Sequence, residues 1–117
     1  MTSDLLKLTT IGSVQIIELH LPDDLDSSEF DRLNEEVGGW INPTAGKFWV
    51  VDLAQVQYMP SSGLGLLVNI RHRVKAQKGQ IALCNLSAGL QGIFRACSLE
   101  RLFTIHRTRD DAMRAAR

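Results

Sequence analysis

The chain has 117 residues and a mass of 13.0 kDa, enough to bury one hydrophobic core, and is expected to fold as a single domain over 1–117. Apolar residues make up 44% and charged residues 22%, which excludes a disordered or fibrous chain. Net charge is zero and no basic stripe interleaves with aromatics, so nucleic acid is not an expected partner.

No apolar run is long enough to span a bilayer, and Met1-Thr2-Ser3-Asp4 lacks a basic signal-peptide start. A cytoplasmic protein without a membrane span is expected. The charges are unevenly spread. Residues 1–36 hold nine acids against Lys7 and Arg32, a net of −7, and the remainder carries +7. Such polarity can orient a partner during encounter, although solvated faces explain it better. Cys84 and Cys97 are too few for a disulfide framework and have no metal-ligand spacing to His20, His72 or His106. Both are expected to be buried free thiols.

Leu5 to Thr9 reads as a strand and Thr10 to Ser13 as its turn, with Val14, Ile16-Ile17, Leu19 and Leu21 forming the next strand. Pro22 to Asp26 is an acidic loop. A helix is predicted over 27–37, with Phe30, Leu33 and Val37 on its apolar face, capped by Asp26 or Ser27 and ended by Gly38-Gly39. Trp40 to Gly46 is a loop. Lys47 to Leu53 is a continuous aromatic and β-branched run, as in a strand buried on both faces. It leads to Met59-Pro60-Ser61-Ser62-Gly63, from which a helix runs to about Gln77, with Lys75, Lys78 and Gly79 suited to its end. Gln80 to Cys84 is a strand, and Ser87 caps a helix bearing Leu90, Ile93 and Phe94. Leu99 to Ile105 holds a turn and a short last strand. Thr108 caps a final helix with Asp110 and Asp111 in its first turn. The order is ββαβαβαβα, an α/β sheet with right-handed crossovers.

Little of this chemistry is catalytic. A lipase-type elbow needs glycine two residues before and two after its serine, which neither Ser61 nor Ser62 has. None of the three histidines sits in a motif that supplies a base. An enzyme is not expected, nor is a cofactor. Gly63 and Gly65 open a helix but lack a Walker lysine or a G-x-G-x-x-G pattern, so a small-nucleotide-binding module is only an alternative. Asp23, Asp24 and Asp26 could hold a divalent metal, yet a polar loop and helix cap explain them better, and no metal is expected. Ser61 taken alone reads as a helix N-cap.

The arrangement Val51-Asp52-Leu53, Val56, Met59, Ser61-Ser62-Gly63-Leu64-Gly65 resembles the signature of STAS domains, specifically the bacterial anti-sigma-factor antagonists. The resemblance continues through Gly79, the strand Ile81 to Cys84, Asn85, Ser87, Leu90, Phe94, Leu99, Leu102-Phe103 and Ile105. Leu21 to Asp26 stands where that family has a short acidic loop, so roughly 14–116 is covered. The resemblance implies a single STAS-like α/β domain, a mixed sheet with helices packed against it.

It also implies a non-enzymatic regulator of transcription that works by partner switching. Such proteins bind an anti-sigma factor that is also a serine kinase. Phosphorylation of the first hydroxyl residue of D-[ST]-[ST]-G blocks binding, and a phosphatase restores it. Carried over, the phosphorylated residue is Ser61, with Ser62 the second choice. The partner-binding surface implied comprises Tyr58, Met59, Pro60, Ser61, Ser62, Gly63, Leu64 and Gly65. Arg71, His72 and Lys75 on the helix and Asp23, Asp24 and Asp26 in the acidic loop complete it. Two positions depart from the pattern. Pro60 replaces the family's aspartate, and Asp23 a commonly small residue. Pro60 favours a second reading, a scaffold or transporter-associated STAS module with no phosphorylation cycle.

Overall fold

The structure, a computed structural model, describes residues 5–22 and 24–116. β1 (Leu6–Ile11) and β2 (Val14–Leu19) form a hairpin in which Ile11 faces Val14 across only Gly12 and Ser13. Gly12 has φ +60°, which glycine adopts without steric penalty. The first strand therefore runs two residues beyond the expected Thr9.

α1 (Ser27–Ile41) also outruns its prediction, passing straight through Gly38 and Gly39. Gly38 is buried where Arg73 of the next helix crosses, and an added Cβ would lie 2.6 Å from Arg73 Nη1. That glycine lies beneath the far end of the Arg73 side chain, which a larger residue would displace. The helix ends instead at Asn42, just before Pro43. Asp26 is its cap, accepting the Glu29 N–H while the Glu29 side chain accepts from the Asp26 N–H.

β3 (Phe48–Asp52), α2 (Ser61–Ala76), β4 (Gln80–Cys84), α3 (Ala88–Ala96), a 3-10 turn (Leu99–Arg101), β5 (Thr104–His106) and α4 (Arg109–Arg114) complete the chain. The five strands lie in the order β1-β2-β3-β4-β5, with β1 antiparallel and the rest parallel. Ser87 and Thr108 cap α3 and α4 as expected. At the end of α2 the left-handed residue is Lys78, with φ +60°. Gly79 is needed because a Cβ there would stand 2.6 Å from the Lys47 carbonyl oxygen.

Alternation along the strands divides two cores. Ile17, Leu19, Trp49, Val51 and Leu83 face α1, α2 and α3, whereas Val14, Ile16, Val50, Ala82 and Cys84 face Ala112 of α4. β3 is buried on both faces, as its composition predicts. Cys84 is buried, but Cys97 is exposed, contrary to expectation. α3 buries Leu90 and Phe94, and Cys97 caps its C-terminal end. No described helix is long and apolar enough to cross a membrane.

Candidate functional site

Right-handed crossovers carry the N-termini of α1, α2 and α3 to the edge where the parallel strands end. The turn from β3 into α2 lies on this edge. Leu53 N–H donates to the Cys84 carbonyl at 3.0 Å, and Val56 N–H to that of Leu53 at 3.0 Å. Val56 and Met59 are buried, so the segment is pinned from below while Tyr58, half exposed, points outward.

Pro60, with φ −71° and ψ 174°, is the residue that caps α2. It has no side-chain acceptor. Its carbonyl receives the N–H groups of Gly63 and Leu64 at 2.9 and 3.0 Å. The amides of Ser61 and Ser62 have no acceptor among the described residues. Ser61 is thus the first helical residue, not the N-cap, and its exposed hydroxyl makes no hydrogen bond among the described residues. Ser62 is half-buried on the flank toward α1.

The floor under these serines is tight. A Cβ on Gly63 would fall 2.5 Å from Met59 Cγ and 3.3 Å from the Phe30 ring, whereas around Gly65 there is open space. Gly63 and Met59 therefore shape the turn from within and present no surface of their own. Gly63 is buried and its N–H is taken by the Pro60 carbonyl, so it offers no amide to the nucleotide-cradle alternative.

The rest of the expected surface is spread out. Helical angles place Ser61, Gly65 and His72 on the solvent face of α2. His72 and Lys75 lie about 16 and 21 Å further along the axis at 1.5 Å per residue. Arg71 is turned to the flank, where its Nε donates to the Leu102 carbonyl at 2.7 Å. Leu64 is half-buried. Asp24 is exposed; Asp23 lies outside the described residues. The Glu29 backbone N–H and the Ser28 hydroxyl hold the Asp26 carboxyl below its ordinary range. Among the described residues no three His, Cys, Asp or Glu side chains are grouped to hold a metal.

A polar cluster that the motif does not announce braces the same edge. Register sets Glu18, Asp52, Cys84 and His106 side by side across β2 to β5, on the α4 face. Asp52 is buried. Its Oδ1 accepts from Ala54 N–H at 2.9 Å and Asn85 Nδ2 at 3.1 Å, and its Oδ2 from Arg109 Nε at 3.0 Å. Arg109 also pairs with Glu18. Partial burial opposes the Arg109 charge, but these carboxylates outweigh it and raise its pKa. Burial and the Asp52 charge push the Cys84 thiol up to about 12. One sequence signal for the cluster existed, a charged residue closing a strand read as buried on both faces.

A family model of the STAS domain matches residues 7–112, and the chain belongs to that family. Over 57 residues it is 37% identical to a STAS-domain containing protein of Pseudomonas aeruginosa, covering 49% of this chain and 56% of that relative. The matched stretch is thus little more than half the length of that curated relative. An anti-sigma-factor antagonist (STAS) domain protein from Planctomyces limnophilus superposes with a TM-score of 0.82 at 21% identity, over 95% of this chain and 97% of that one. The phosphorylated form of the Bacillus cell fate determinant SpoIIAA gives 0.69 at 20% identity, over 96% and 99%. At these identities the likeness is one of fold.

Proposed function

We propose that this chain is an anti-sigma-factor antagonist, a regulator that acts by docking a partner at the β3–α2 turn and is switched off by phosphate on Ser61. The observation that carries the reading is the Ser61 hydroxyl, exposed and without a partner among the described residues, on the first turn of a helix whose leading amides have no acceptor among those residues either. A phosphate would add about −1.5 to −2 charges and three acceptor oxygens. The helix dipole favours such an anion by roughly 0.3–1 kcal/mol, so the fold tolerates it. Because Pro60 provides no side-chain cap, a phosphate on Ser61 has no carboxylate from residue 60 to compete with. In a docked interface the same group must lose its water, which opposes binding. The partner implied is an anti-sigma factor that is also a serine kinase, with a phosphatase to reset the cycle.

Pro60 favours one second reading, constitutive docking of a partner without a phosphorylation cycle, as in a scaffold module. Peptide mapping of the protein purified from its native cells under several stresses separates the two. Phosphate on Ser61 supports the switch. An unmodified Ser61 under every condition, with full peptide coverage, supports constitutive docking.

A further inference from the structure

β1 forms one edge of the sheet, and among the described residues nothing pairs with its outer side. The Leu5 carbonyl accepts from His20 N–H at 2.9 Å, so residues 5, 7, 9 and 11 turn their backbone groups toward β2. Leu6, Leu8 and Thr10 turn theirs outward. An open edge of this length is a template for strand addition, and it carries two exposed apolar side chains, Leu8 at 36% and Ile11 at 44% exposure.

The pattern of this edge selects its occupant. We propose that β1 pairs antiparallel with β1 of a second copy of this chain about a two-fold axis at Leu8, joining the sheets into one of ten strands. In that register Leu8 faces its own copy, and Leu6 faces Thr10 of the other chain. All outward-facing residues of β1 then exchange backbone hydrogen bonds. The single charge of the strand, Lys7, falls opposite Thr9. Shifting the register by two residues one way opposes Lys7 to Lys7, and like charges directly opposite destabilise a pair. A shift the other way takes Leu8 off the axis and leaves the outward groups of Leu6 unpaired. The contact is isologous and closes at two copies. One strand pair with a single central apolar contact, Leu8 on Leu8, lies at the small end of specific interfaces, so the association is concentration-dependent.

Sedimentation of the purified chain from micromolar to millimolar concentration reads this directly. The expected mass rises from 13.0 kDa toward twice that value. Leu8→Lys places two like charges on the axis at an exposed edge position and is expected to remain monomeric with an unchanged melting curve. In a Cys97→Ser background, Leu8→Cys is expected to form an intermolecular disulfide on mild oxidation. Thr10→Cys, which faces position 6 of the other copy, is not. A wild type monomeric up to millimolar concentration, a folded Leu8→Lys that dimerises undiminished, or equal crosslinking at positions 8 and 10 would overturn the proposal. If Leu8→Lys fails to fold, the two cysteine variants decide the matter alone.

Discussion

Arg109 reaches Asp52 across 57 residues of sequence, its Nε 3.0 Å from Oδ2, and so ties α4 to the strand that delivers the Ser61 turn. Parallel register sets Glu18 beside Asp52, which gathers two carboxylates on one face, and the one guanidinium bridges both. Through Oδ1 the same aspartate holds the Ala54 N–H, the first step of the loop toward Pro60. The α4 face of the sheet thereby fixes where the β3–α2 turn begins.

Arg109→Met keeps the aliphatic stem but leaves Asp52, 7% exposed, without its cation. Breaking a fully buried pair costs roughly 3–5 kcal/mol, and the 29% exposure of Arg109 softens this to about 2 kcal/mol. Urea unfolding of the variant should show that loss. Stability equal to wild type would mean that water replaces the guanidinium.

Gly63 and Gly65 should respond oppositely to alanine. At Gly63 the new methyl meets Met59 Cγ, deep in the core, and overpacking is expected to cost about 1–3 kcal/mol. At Gly65 nothing lies within 4 Å, so the better helix propensity of alanine should add up to about 1 kcal/mol. Thermal melts of the two variants displaced in the same direction would refute the packing assigned to Gly63.

This contrast marks what the sequence could reveal. Element order, the caps Asp26, Ser87 and Thr108, and the doubly buried β3 all follow from local patterns of two to four residues. Glycine is ambiguous in sequence, because a break, a left-handed turn and a close approach share one letter. Gly38 reads as a stop, yet the helix passes through it beneath the Arg73 side chain, and Gly79 reads as a C-terminal cap, yet it makes room for the Lys47 carbonyl. Ser61 stands one position past the cap that its side chain suggests, because Pro60 holds the extended φ and ψ of an N-cap without a side-chain bond. The Arg109 link was invisible, since only strand register brings its partners together.

The two cysteines should differ sharply in reactivity. Cys97 is exposed, whereas the Cys84 thiol is buried and pushed up to about 12, leaving almost no thiolate near neutral pH. Iodoacetamide should label one thiol of the folded chain quickly, and Cys97→Ser should abolish that labelling. Rapid modification of Cys84 in the folded chain would show that α4 lifts readily from the sheet.

Asp26 should couple the start of α1 to acid. Its pKa lies below the 3.8 of a free aspartate because it accepts the Glu29 N–H and the Ser28 hydroxyl in the folded chain alone. A group whose folded pKa is depressed contributes stability that is full above its unfolded pKa and vanishes as pH falls through the folded one. The cap contribution is therefore intact at neutral pH and fades only below about pH 4. Asp111, lowered chiefly by its bond from Arg114, titrates in the same window. The effects separate by site, since Asp26→Asn keeps a capping oxygen but removes the titration. NMR titration should place the Asp26 midpoint below 3.8 in the wild type. In Asp26→Asn the acid-side loss of stability should be smaller, with Asp111 and the remaining carboxylates supplying what is left. An Asp26 midpoint at or above 3.8 would show that the capping bonds do not form in solution.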